Sequence, residues 1–174
     1  MCSEVDTPAR VLRPKDMFDY KWLPVNKADR RAVGLADKHY SRQTPGSREI
    51  GPPGQKIILM TQDCRALWGS HRPAPWSGVK RADGFEGHTC FIFRNEGKEL
   101  SSGLIREAVG LTRDMWGGAD FMTYVSAEKV KSINPGYCFL RAGFEPDGWI
   151  EGKHGRMRRL VMASSEVEHC AQKA

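Results

Sequence analysis

Several absences narrow the class of this 174-residue chain at once. No apolar run approaches the roughly 20 residues needed to cross a bilayer. The opening stretch, MCSEVDTPARVLRPKD, is polar and has none of the apolar core of a secretory signal. The five cysteines (Cys2, Cys64, Cys90, Cys138, Cys170) are scattered, odd in number and never spaced C-x-x-C. That pattern speaks against a disulfide framework and a zinc knuckle and fits a reducing compartment. His71, His88 and Cys90 lack ligand spacing, so no metal site is expected. There is no internal repeat and no low-complexity tract. A cytoplasmic globular protein without a membrane partner is the expectation.

Composition then says what is there. Hydrophobic residues at 40% and charged residues at 28% are ordinary for a globular domain, and the length suffices for a real core without covalent staples. Residues 1–24, with Pro8 and Pro14 and little periodicity, read as an extended arm, residues 25–164 as one domain, and residues 165–174 as a flexible tail. Twenty-seven Lys and Arg against twenty-one Asp and Glu give a net charge of +6. A basic protein of this size has either a nucleic acid or other polyanion as partner, or an excess charge with no partner at all.

The periodicity predicts a helix from about Lys27 to Tyr40 capped by Asn26, with Ala28, Ala32, Leu35, Ala36 and Tyr40 on its apolar face. SRQTPGSREIGPPGQ is then a long loop, KIILMT and RALWGSH are strands, and HRPAPWSGVKRADGFEG is a second long loop. HTCFIFRN reads as a strand buried on both faces. From Leu104 to Trp116 the apolar residues recur at helical spacing, with Ser101 or Ser102 placed as N-cap and Gly117-Gly118 as the stop. FMTYVSA is a strand, PGYCFLRA a short helix, and FEPDGWI with RMRRLVMA a closing hairpin. The alternation predicts an α/β domain with a mixed central sheet flanked by helices.

Chemistry concentrates in a few places. In FIFRNEGKELSSGLIREA a helix starts directly after a buried strand, and such an end offers free N–H groups and partial positive charge to an anion. Arg94, Ser101, Ser102, Gly103 and Leu104 are the candidate donor-binding residues there; the plain alternative is an ordinary Ser-capped helix. In the second long loop, Arg72, Lys80 and Arg81 with Trp68 and Trp76 offer cations for phosphates and aromatics for an unstacked base, and Arg42 joins this nucleic-acid-binding set. Either tryptophan reads equally well as core. Lys153, His154, Arg156, Arg158 and Arg159 form a second basic cluster.

The segment NPGYCFLRAGFEPDG, a short helix running through Ala-Gly-Phe-Glu into a strand, resembles the closing segment of the GNAT acyltransferase fold. The order of elements before it matches too, and the resemblance spans roughly Arg31 to Met162. It implies a single GNAT-like domain. The family's acyl-CoA loop reads R/Q-x-x-G-x-G/A, whereas Lys98 to Leu104 here keeps only Gly103 and adds Glu99. Acetyl-CoA is therefore not the expected donor, and an acyl or aminoacyl donor of unspecified identity is.

A narrower similarity involves HYSR (His39 to Arg42), FRNEGKELSSGLIREAV and YVSAEKVKSINPGYCFLRAGFE, three blocks in the order found in the Mom DNA-modification proteins of Mu-like phages. That resemblance implies conversion of adenine in double-stranded DNA to its N6-carbamoylmethyl form, in the cytoplasm of an infected host. The matching positions are His39, Tyr40, Ser102 and Glu128, the last standing where that family has an aspartate. Adenine N6 is a poor nucleophile, so transfer needs a base and a polarised donor carbonyl. Glu128 at a strand end is the candidate base and His39 its rival; Tyr40 would stack on the purine or protonate a leaving group, and Ser102 would hold the donor. Tyr40 also reads as core, and Glu128 as a surface partner of Lys129, Lys131 or Arg141. The rival functions are an acetyl-CoA-dependent N-acetyltransferase on a small amine or protein, and a non-catalytic nucleic-acid-binding protein. The oligomeric state stays open.

Overall fold

Seven strands pair into one mixed sheet in a computed structural model that describes residues 20–74, 78, 80–152 and 155–164. In chain order the elements are β1 (Trp22–Val25), α1 (Arg30–Asp37), β2 (Gln55–Thr61), β3 (Ala66–Arg72), β4 (His88–Asn95), α2 (Ser101–Trp116), β5 (Phe121–Ser126), α3 (Tyr137–Ala142), β6 (Glu145–Gly152) and β7 (Gly155–Met162). The sheet order is β1-β2-β3-β4-β5-β7-β6, and every pairing is antiparallel except β4 with β5. A parallel pair needs a crossover, and α2 supplies it.

The continuous apolar run of β2 is explained by burial on both of its faces. Ile57 and Leu59 join the core under α2 and α3, with Trp68, Leu104, Ile105, Phe121, Phe139 and Leu160. Ile58 and Met60 point the other way and pack with Ala32, Leu35 and Ala36 of α1, and with Ile50, Leu67 and Ile92. Polar atoms within the first core are satisfied in sequence: Trp68 Nε1 donates to Ser70 Oγ (2.6 Å), which bonds Thr112 Oγ1 (2.9 Å), which in turn donates to the Ala108 carbonyl (2.8 Å).

The sheet begins earlier than the sequence suggests. Trp22–Val25 lies within or next to the segment read as an arm, yet it pairs with β2, and the buried Trp22 donates Nε1 to the Leu104 carbonyl (2.9 Å). Nothing in the alternation of four residues signalled a strand. The rest of the arm, and the tail from residue 165, lie outside the described residues.

Two expected caps are also corrected. Helix α1 is shorter than expected, because Asp29 rather than Asn26 caps it, its carboxylate accepting from Arg31 N (2.9 Å) and Ala32 N (3.4 Å). Asn26 instead closes the preceding turn on Ala28 N (2.9 Å). Helix α2 has Leu100 at its N-cap with no side-chain bond, so neither serine caps it. The loop before α2 is held by Asn95, whose Nδ2 donates to the Glu99 carbonyl (2.8 Å) and to Ser101 Oγ (3.0 Å).

Candidate active site

Cα partners between β4 and β5 run only from His88↔Phe121 to Cys90↔Thr123. Beyond them Phe91–Asn95 and Tyr124–Ser126 part. A bulge starts the divergence: Ile92 faces Gly69 and Cys90 faces Ser70, so Phe91 is an extra residue in β4. Gly69 and Gly51 make room for its ring, since a side chain at either position would collide with Phe91.

A cleft of about 680 Å³ opens where the strands part. Its walls come from residues 39–53 after α1, from Phe91 and Phe93 on β4, from Tyr124 and Val125 on β5, and from Cys138 and Phe139 on α3. The long loop 41–54, which the sequence showed only as punctuation, is one of these walls. Arg42 pins it: Nε bonds Asp37 (2.8 Å), and the two terminal nitrogens donate to the Glu49 and Ser47 carbonyls (2.8 Å each). His71 Nε2 lies 2.8 Å from the Pro53 carbonyl and fixes the far end. The sequence signal was Arg42 five residues after Asp37, just past the helix end.

His39 and Tyr40 both line this cleft. Their rings lie 4.3 Å apart at 30°. The His39 Nδ1 accepts from Ser41 N (3.2 Å) and meets Ser41 Oγ at 2.8 Å, which leaves the proton on Nε2. Burial, then the nearby Arg94 guanidinium, push its pKa down to about 4, so the imidazole is neutral at physiological pH. The Tyr40 hydroxyl reaches the end of β5 and accepts from Ser126 N (3.4 Å), tying the two sides of the gap together. Tyr40 is 38% exposed and so is not core, but the surroundings of its hydroxyl at β5 withdraw it from water and raise its pKa.

Other expected site residues lie elsewhere. Glu128 is exposed in the turn after β5 and forms no part of the cleft wall. Its carboxylate rests on the backbone of Gly155, with Arg156 N 3.5 Å from Oε1. The structure therefore does not bring Glu128 together with His39 and Tyr40. Ser102 and Leu104 are buried in α2. The Gly103 and Leu104 amides donate to the Leu100 carbonyl (3.0 and 3.1 Å), so the Ser101 and Ser102 amides precede the first helical bonds. Arg94 pairs with Glu96 (2.7 Å) and donates to the Lys38 carbonyl (2.8 Å).

The expected nucleic-acid set does not form one free basic patch. Trp68 is fully enclosed in the core and has no face for a base. The Arg42 side chain is only 8% exposed and serves the loop. Arg72 bonds Gln55 Oε1 and the Trp116 carbonyl, with its guanidinium 4.8 Å from the Trp116 ring. Arg81 lines the cleft but pairs with Asp83 (2.6 Å) and donates to Thr89 Oγ1 (3.1 Å). Lys80 is exposed, and Trp76 lies outside the described residues, as do Lys153 and His154. Arg158 and Arg159 are held by Asn134 (2.6 Å) and Asp147 (2.5 Å). Among the described residues no group of three His, Cys, Asp or Glu is placed to hold a metal ion, and no helix is long and apolar enough to cross a membrane.

A mixed sheet whose central parallel strands part at a bulge, with a helix leaving the first of them, is the GNAT acetyltransferase fold. A chimera of the Vibrio cholerae spermidine N-acetyltransferase SpeG and hSSAT matches over 83% of this chain and 95% of its own, with a TM-score of 0.52 and 11% identity. AAC(6')-Ib bound to ribostamycin and coenzyme A matches over 68% of this chain and 69% of its own (TM-score 0.48, 21% identity). A putative GNAT-family acetyltransferase from Bordetella pertussis matches over 77% and 90% (TM-score 0.48, 11% identity). The first of these likenesses establishes the fold and not the substrate, and none of them lends support to the Mom similarity. No protein-family model and no curated protein matches the sequence.

Proposed function

We propose that this protein transfers an acyl group from a coenzyme A-type thioester to an amine. The observation that carries the reading is the parting of β4 and β5 at the Phe91 bulge, which opens a cleft at the strand that leads into α2. The residues present fit such a donor. The Ser101 and Ser102 amides head α2, and a β-carbon at Gly103 would meet nothing within 4 Å, so the first turn offers bare backbone to a diphosphate. Glu99, whose charge argued against this donor, is ion-paired with Lys21.

When bound, the thioester supplies an activated acyl carbon. The chain's own groups would do the rest. Backbone amides on the parted edges of β4 and β5 would polarise the acyl carbonyl. Tyr40 and Cys138, both kept protonated because burial raises their pKa, would supply the proton to a departing thiolate. The test is titration of the protein with acetyl-CoA. Gly103→Glu puts a carboxylate at the open first turn, where it suits the helix but repels a diphosphate, and it should weaken binding by about tenfold or more. Absence of acetyl-CoA binding to the wild type would refute the proposal.

A second reading, conversion of adenine in double-stranded DNA to its N6-carbamoylmethyl form, is favoured by the pairing of His39 with Tyr40 on the cleft wall. It loses its expected base with Glu128 outside that wall. Mass spectrometry of nucleosides from plasmid DNA of expressing cells tests it, and an unmodified deoxyadenosine pool would discard it.

A further inference from the structure

We propose that the acceptor is an uncharged amine borne on an aromatic ring, taken up as the free base, and that the cleft rejects alkylammonium and polycationic amines. This deepens the acyl-transfer reading and rests on it.

Charge is the first argument. Among the described wall residues three carry formal charge at neutral pH, and each is already paired: Arg42 with Asp37 (2.8 Å), Glu49 with Lys27 (2.8 Å) and Arg81 with Asp83 (2.6 Å). The one carboxylate among the described wall residues, Glu49, is held by Lys27, with Lys56 and Arg48 also acting on it. An ammonium entering here would shed water without gaining a counter-ion, which is the expensive way to bury a charge.

Proton chemistry points the same way. An alkylammonium, with a pKa near that of lysine at about 10, must lose a proton before its nitrogen can attack. No group among the described wall residues is suited to take it. His39 is neutral but very weakly basic, and both sides of its ring are engaged, by Ser41 and by the Phe93 backbone. His71 is likewise depressed by burial and held by Pro53. Burial raises Tyr40, Cys90 and Cys138, and burial with the Asp83 hydrogen bond raises Tyr124, so all four stay protonated. Lys27 holds the Glu49 carboxyl in its ionised, weakly basic form. The acceptor must therefore arrive already deprotonated, as aromatic amines do at neutral pH.

The walls also suit a ring. Tyr40, Phe91, Phe93, Tyr124 and Phe139 all face the cleft, and Phe93 meets Phe139 edge-on at 5.9 Å. In the reaction the amine lone pair attacks the thioester carbonyl carbon and the C–S bond breaks with its electron pair on sulfur. Tyr40 or Cys138 gives its proton to that sulfur and regains one from the acylated nitrogen, so amide and thiol form with no net proton release.

The experiment follows thiol release by the full-length protein with acetyl-CoA and one of three acceptors: 4-toluidine, benzylamine and spermidine. Benzylamine keeps the ring but carries a positive charge. The expected result is acetylation of 4-toluidine with kcat/KM flat from about pH 6.5 to 9, and benzylamine and spermidine lower by about a hundredfold or more at pH 7. Gln43→Glu, which adds an unpaired carboxylate at an exposed wall position, should raise turnover of benzylamine by about tenfold. Equal or better use of benzylamine or spermidine, no transfer to 4-toluidine, or no response in Gln43→Glu overturns the proposal while acetyl-CoA binding keeps the acyl-transfer reading standing. Failure of acetyl-CoA to bind overturns both.

Discussion

Arg42 offers a sharp test because two opposed roles predict opposite outcomes for one substitution. As a DNA contact it would be free and dispensable for folding. In the structure its guanidinium bonds the Asp37 carboxylate and the Glu49 and Ser47 carbonyls, and its side chain is 8% exposed. Arg42→Met keeps the aliphatic stem and removes all three bonds. It also strands Asp37, whose remaining partner is Gly46 N at 3.0 Å. Hydrogen bonds to charged groups contribute about 1.5–3 kcal/mol each when buried, but these three share one side chain and do not add. A net loss of about 2–3 kcal/mol is expected. For a chain of this length that lowers Tm by about 5–10 °C. Thermal melting reads the total, and hydrogen exchange reads its location. Protection should fall at Gly46 and Ser47, and hold at Leu59 in β2. An unchanged Tm together with weaker, less salt-dependent DNA binding would refute the argument and return Arg42 to the nucleic-acid set.

Four further outcomes are expected. Trp68→Ala should cost about 3–5 kcal/mol in urea unfolding, because it empties the core and frees Ser70 Oγ from its donor; a surface-like loss below about 1 kcal/mol would show that the indole is not enclosed. Asp29→Ala should lose about 1 kcal/mol by the same assay through the α1 cap. The Asp29 pKa of about 2 means that this contribution is present above the usual carboxylate pKa near 4 and is lost as pH falls towards 2, so the variant and wild type should converge there. Burial depresses His39, His71 and His88 together, so the unfolded chain binds more protons below pH 6.5; Tm should be level above that value and fall as pH drops towards 4, and a Tm maximum near pH 5 would contradict this.

How much of this was legible beforehand depends on the range over which each feature is specified. The long elements were readable because their signals are local: β4 ends where HTCFIFRN ends, and α2 runs from Ser101 to a glycine stop at Gly117. The caps were less so. Asn26 and Asp29 are both good capping residues, and the choice between them falls to Asp29 because Arg31 reinforces its carboxylate (2.8 Å). Strand β1 escaped because four residues cannot show a period, and what fixes Trp22 is a hydrogen bond to Leu104, 82 positions away.

The candidate site divides along the same line. His39 and Tyr40 are neighbours at a helix end, and the chain delivers them together to the cleft, so the sequence block that named them had its geometry built in. Glu128 follows β5 by only two residues, yet its direction depends on a distant turn: Gly155 at the start of β7 has φ of +87° and no β-carbon, and the carboxylate settles into that space. A residue with a β-carbon at position 155 would strain the turn and expel Glu128. The test of whether Glu128 has any part in chemistry is thus Glu128→Gln, which removes its charge without emptying the space over Gly155. With the residue outside the cleft wall, acyl transfer should stay within about twofold of wild type, against the 10²–10⁴-fold loss expected for a general base. A loss in that larger range, with Tm unchanged, would mean that Glu128 leaves Gly155 and swings into the cleft during turnover.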